Sequence, residues 1–234
     1  MKQILKKFFG RKRTEMEVMY HLPNFKMEFD NTMDFVKYVL EYEQKNDQII
    51  ILDYVMEIIK KDIQYDLLTT ILYDKDFTKQ IRFIFPYNYY DEQGNECNIV
   101  NKKKTKKRID LSTDCVIVLP WCRERMVSQA KNIGNNNFTY YPSNHLAYYF
   151  TYIDLCYVYN GTHSIASGIG HRKGYIEATI YDISKLFDHV YTDGVHWYNS
   201  HNNKKYSIDL VDFRIGIIYE IAKIKYRLEN HNLL

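Results

Sequence analysis

The chain has 234 residues, 46% of them hydrophobic, enough for one substantial domain or two small ones whose core needs no disulfide or metal staple. Its 32 Lys and Arg against 29 Asp and Glu leave a net charge of +3, too slight to mark a nucleic-acid binder by itself. No apolar run reaches transmembrane length, and the charged start lacks the apolar core of a signal peptide, so a cytoplasmic protein is expected. Cys97, Cys115, Cys122 and Cys156 show neither CxxC spacing nor a secreted framework, which fits reduced thiols. The 23 Tyr and 12 Phe suit interfaces and half-buried cores, although plentiful Asn, Lys and Ile point to AT-rich coding as the simpler cause.

In chain order, residues 1–13 form a short basic arm with Ile4, Leu5, Phe8 and Phe9, read as a membrane- or nucleic-acid-touching segment or as a terminus packed on the domain. Residues 14–86 read as a helical region. Asn31 or Thr32 can cap a first helix through Phe35, Val36, Val39 and Leu40. A second runs through Ile50, Ile51, Tyr54, Val55, Ile58 and Ile59, with Lys60-Lys61 at its C-terminal end, where cations favour the dipole. A third carries Leu67, Leu68, Ile71 and Leu72 until Asp74-Lys75-Asp76 interrupts it. Their apolar stripes need one another and the C-terminal helix as partners.

Residues 87–111 predict a hairpin around Gly94 with a basic second arm, or a linker. Lys102, Lys103, Lys104, Lys106, Lys107 and Arg108 could neutralise nucleic-acid phosphates, or simply be solvated. Residues 112–234 form an α/β region. It opens with an apolar strand over 114–119 ended by Pro120, then a helix starting near Trp121, then an Asn-rich loop over 132–137. A helix capped at residues 142–144, with Leu146, Tyr149 and Phe150, is expected next.

Residues 155–184 organise the rest. An apolar run through Tyr159 predicts a buried strand, Asn160-Gly161 breaks it, and Thr162 or Ser164 can cap a short helix through Ile165, Ala166 and Ile169. The turn over 170–174 closes that helix, and 175–181 alternates as a second strand. The order predicts a right-handed crossover whose turn amides sit at a helix N-terminus, where an anion is stabilised. A short helix after Ser184, a hairpin at Asp193-Gly194 and a long apolar-striped helix over 208–229 complete the chain.

The stretch Gly161-Thr162-His163-Ser164, then Ala166, Gly174 and a strand ending at Asp182, resembles the ParB/sulfiredoxin-like superfamily over about residues 112–185. In that superfamily a strand ends in a Gly-x-His-Arg type turn that grips nucleotide phosphates. Its members include CTP-dependent DNA clamps, sulfiredoxin, a serine kinase and reputed nucleases. The expected phosphate-facing Arg is here Ser164. Arg123 and Arg125, just past the strand end, are candidates to supply the missing cationic fork, against a local ion pair with Glu124.

The expectation is therefore an α+β protein: a helical N-terminal region, a small mixed sheet flanked by helices, ParB/sulfiredoxin-like, and a long C-terminal helix. Asn160, Gly161, Thr162, His163 and Ser164 would cradle a nucleotide or nucleic-acid phosphate, supported by Arg123, Arg125, Arg172 and Lys173. His163 and Ser164 are the catalytic candidates, His163 as acid or base, or else as a ring holding the turn through a backbone carbonyl. A Ser-His-Asp reading is poor, because adjacent side chains point apart. Glu177 or Asp182 would hold Mg²⁺ for phosphoryl transfer or phosphodiester hydrolysis, in keeping with a bacterial or phage genome-conflict setting. The alternative is a non-catalytic subunit or inhibitor that binds a protein partner. His145, His163, His171, His189, His196 and His201 lack metal-motif spacing, and Cys156 reads as inert core.

Overall fold

The computed structural model describes residues 25–74, 83–99 and 101–230, with residues 101–105 described by backbone alone. The expected basic arm over residues 1–13 and the interruption at Lys75-Asp76 lie outside these residues. The chain begins with helices α1 (Phe25–Tyr42) and α2 (Lys45–Tyr73). α1 already includes Asn31 and Thr32, and the Thr32 hydroxyl donates to the carbonyl of Glu28 inside the helix rather than capping its start. The second and third expected helices are one helix of 29 residues. No Gly or Pro intervenes, and Leu52, Met56, Lys60, Ile63, Leu68 and Ile71 keep one buried row running past the expected break.

Lys60 is thus interior rather than terminal. Its stem is buried while Nζ donates to the carbonyl of Ile153 and pairs with Glu57. The cation at the end of α2 comes from elsewhere. Arg123 Nε and Nη2 donate to the carbonyls of Ile71 and Leu72, 2.8 and 3.1 Å away.

Most of the described residues within 87–111 lie in strands rather than in a linker. β1 (Asn88–Tyr90) and β2 (Glu96–Asn98) form a hairpin turned at Gly94, and β3 (Asn101–Asp110) joins the main sheet. That sheet also holds β4 (Val116–Ile117), β5 (Leu146–Phe150), β6 (Leu155–Asn160) and β7 (Tyr175–Tyr181), in the order β3-β7-β5-β6-β4. The helix expected after residues 142–144 is strand β5, central in the sheet. Its aromatic run LAYYF packs between β6 and β7 instead of following helical spacing. The apolar stretch over 114–119 contributes only the two residues of β4 to the ladder, parallel to β6.

Between the strands lie α3 (Arg123–Asn135), which absorbs the start of the expected Asn-rich loop, and α4 (Thr162–His171). β6 is antiparallel to β5, and β5 is parallel to β7, so β6 and β7 run in opposite directions with β5 between them. The expected right-handed crossover, which requires parallel strands, is therefore absent: α4 bridges across β5 instead.

The remainder is α5 (Leu186–His189), the three-stranded sheet β8 (Val190–Thr192), β9 (His196–Asn199) and β10 (Lys205–Asp209), and α6 (Phe213–Asn230). Ile208 belongs to β10, so α6 starts later than its apolar pattern suggests. Asp212 sets its first turn by accepting the amide of Arg214. The β8–β9 turn is at Gly194 as expected.

The main sheet is covered on both faces. Leu155 and Tyr157 of β6 pack into a core shared with α1, α2 and α6, while Cys156 and Val158 face Ile165, Ala166 and Ile169 of α4. Burial on both faces explains why β6 reads as a continuous apolar run. The chain is α+β with a mixed sheet and a C-terminal helix. Among the described residues no helix is long and apolar enough to cross a membrane.

Candidate functional site

β6 ends at Asn160, and the chain must turn at once to begin α4. Gly161 makes that turn at φ +77°, the left-handed region. A Cβ there would also lie 2.7 Å from Cδ2 of His145 and 2.8 Å from the carbonyl of Asn144, so glycine is required twice over. Asn160 pins the turn to the loop before β5, its Nδ2 donating to the Asn144 carbonyl at 2.7 Å. Among the described residues no side chain caps the start of α4. Its first turn opens into a cleft of about 400 Å³ lined by Asn160, Gly161, Thr162, His163 and Ser164 on one side and by Trp121, Arg125, Ser128 and Gln129 on the other.

Two buried histidines hold this cleft together. His163 Nε2 accepts the amide hydrogens of Trp121, at 3.3 Å, and Cys122, at 3.0 Å. Its proton must then sit on Nδ1, which faces the Thr162 hydroxyl. Burial, with Arg125 nearby, lowers its pKa below the ordinary histidine value. His145 Nδ1 accepts the amide of Tyr141 at 3.1 Å, which places its proton on Nε2, 2.9 Å from Ser164 Oγ. Burial lowers this pKa too. Ser164 in turn donates to the carbonyl of Gly161. The hydrogen bond thus runs from imidazole to serine, the reverse of what nucleophile activation needs.

Across residues 6–232 the chain matches the model of a family of unknown function, DUF6710. The chain belongs to the DUF6710 family. No curated protein and no solved structure matches it.

The structure gathers the five turn residues and Arg125 in one place, with the Arg125 guanidinium 4.9 Å from the ring of Trp121. It sends the other predicted cations elsewhere. Arg123 caps α2. Lys173 Nζ donates to the carbonyls of Ile133, Gly134 and Asn136, closing the C-terminus of α3, where His171 also reaches Ala130. Arg172 is the left-handed cap of α4, at the helix end opposite the cleft. His163 does hold the turn, but by accepting amides rather than by bonding a carbonyl.

The carboxylates expected to take Mg²⁺ are not brought together. Glu177 is in register with Arg108, four residues of extended strand, about 13 Å, before Tyr181. Asp182 follows, its carboxylate accepting the amide of Ser184. Among the described residues no cluster of three or more His, Cys, Asp or Glu is placed for a metal.

The basic run is the edge strand β3. Arg108 lies 3.7 Å over the ring of Tyr175 and Lys107 5.4 Å over Tyr149, while the side chains of Lys102, Lys103 and Lys104 fall outside the described set. Lys106 is exposed beside them. His145, Asn144 and Gln129 join the site without having been expected there. The first two sit in a stretch that reads as a helix start, and Gln129 shows its role only through helical spacing from Arg125.

Proposed function

We propose that this protein binds a phosphate-bearing ligand, a nucleotide or nucleic-acid phosphate, in the cleft at the start of α4. The observation that carries this reading is the Arg125–Trp121 stack set across the cleft from an uncapped helix N-terminus. Arg125 supplies a cation, the first amides of α4 would receive an anion, and the exposed Trp121 ring offers a face for a base. The polarity of the His145–Ser164 bond and the double amide clamp on His163 favour binding over turnover. Titrating mononucleotides calorimetrically into the wild type and Arg125→Ala tests this. Affinity should fall about tenfold or more in the variant, as expected for a lost charge-assisted hydrogen bond. Equal affinity in both would refute it.

A second reading, a protein-interaction subunit, is favoured by Ile50, Tyr54, Ile58 and Tyr65, exposed along one side of α2. Tyr54→Asp with Ile58→Asp should then abolish partner co-purification while leaving nucleotide affinity unchanged.

A further inference from the structure

The phosphate cleft does not end at Ser164. Gln129, Asn144 and Ser164 also line a second chamber of about 250 Å³, with Asn132, Asn137 and Tyr141 among its other walls. Arg125, Ser128, Gln129 and Asn132 fall at i, i+3, i+4 and i+7 of α3. They form one stripe along the helix that serves both chambers in turn. The seven residue steps from Arg125 to Asn132 span about 10 Å of helix.

The chambers differ in charge. Among the described residues, Arg125 is the one formally charged side chain lining either of them. The second chamber is walled by four amides and three hydroxyls, which offer donors and acceptors together, beside His145 and the apolar Ile133 and Phe138. Asn and Gln side chains of this kind match the edges of bases, and without a Lys or Arg among them they give a further phosphate no countercharge. Each chamber also has an exposed aromatic ring held by a histidine. Trp121 leans on His163 and gives it an amide hydrogen bond, and Tyr141 stands in the same relation to His145.

We infer that the groove takes two nucleotides joined by one phosphodiester, with the bridging phosphate at Arg125 and the α4 turn, one base on Trp121 and the other in the amide-lined chamber. The inference rests on the phosphate reading above and deepens it. A single arginine matches the single negative charge of a phosphodiester. A nucleoside triphosphate would bring several negative charges to one cation. The same chemistry is found in a free dinucleotide and in a step within a single strand.

The test uses the full chain and tryptophan fluorescence. Of the two tryptophans, Trp197 is 0% exposed and Trp121 45%, so quenching by a ligand reports on Trp121. The probes are a mononucleotide, a dinucleoside monophosphate and a ten-residue single strand. The dinucleotide should bind about tenfold tighter than the mononucleotide, the order provided by stacking one more base. Asn132→Ala combined with Tyr141→Ala should erase that gain and leave mononucleotide affinity and melting temperature intact, since both side chains are exposed. Arg125→Ala should weaken every probe.

Equal affinity for mononucleotide and dinucleotide, with Arg125 dependence kept, overturns the two-nucleotide inference alone. Failure of all probes to bind, or indifference to Arg125→Ala, overturns the phosphate reading and this inference with it. If the ten-residue strand matches the dinucleotide, the groove accepts an internal step. If the strand binds only as weakly as the mononucleotide, the ligand is a free dinucleotide.

Discussion

The imidazole of His163 accepts the amide hydrogen of Cys122 at 3.0 Å, tying the first turn of α4 to the residue that precedes α3. His145 makes the matching bond to Tyr141, so the cleft and the chamber beside it each depend on an uncharged histidine. A proton on either accepting nitrogen would replace attraction with a clash of two N–H groups. Folding therefore favours the neutral rings, in line with the downward shift of both pKa values. Below about pH 6.5 the unfolded chain takes up protons that the folded one refuses. Stability should be full above that value and fall as the pH drops towards the lower, folded-state pKa values. Urea midpoints measured between pH 7.5 and 5 should show this decline. The decline should flatten in His145→Gln with His163→Gln, with a remainder left by His189, whose pKa burial also lowers. An unchanged slope in the double variant would refute the assignment of neutral clamps.

Two glycines of the same segment should respond in opposite directions to alanine. Gly161→Ala meets a positive φ and two contacts under 3 Å, so it should cost at least about 1–3 kcal/mol in denaturant unfolding. Gly170, inside α4, has an ordinary helical backbone, and an added methyl would meet nothing within 4 Å. Gly170→Ala should stabilise by about 0.5–1 kcal/mol.

Arg123 and Arg125, two residues apart, divide stability from binding. Arg123→Ala strips the last carbonyls of α2 of their cation and should cost roughly 1–2 kcal/mol, with ligand affinity retained. Arg125→Ala should do the reverse. Paired unfolding and calorimetric titrations separate the two outcomes.

Arg214 gathers Asp62 and Asp66 of α2 and Asp212 before α6. Its side chain is 13% exposed, while Asp62 and Asp66 are more than half exposed, so solvent weakens part of the network. Removing the guanidinium leaves the more buried Asp212 without its fork. Arg214→Ala should cost about 2 kcal/mol, and Arg214→Lys should recover only part, because an ammonium cannot reach three carboxylates with a planar fork.

Local patterns announce much of this molecule. The β6 strand, the Gly161 turn, α4 and alternating β7 are all legible, because each is set by its own residues and the sheet merely accommodates them. The departures share a cause. β5 reads as a helix because LAYYF draws its identity from β6 and β7 on either side, which no window of its own sequence contains. The directions of β6 and β7 cannot be known without β5 between them. At the site, residue type alone does not distinguish Arg125 from Arg123 or Lys173. All three are cations near a strand end, and only the packed helix termini show which two already serve as caps.

The ends of the main sheet carry a consequence for life at high concentration. An outer strand with free backbone groups is a template for another molecule to copy, and growth by such copying makes fibrils. Here one end is β4, two residues long, too brief to guide an incoming segment. The other is β3, where Lys106, Lys107 and Arg108 face solvent, so a second chain approaching in register would set like charge against like. The lysine-rich stretch can thus keep neighbouring copies from polymerising, whatever else it touches.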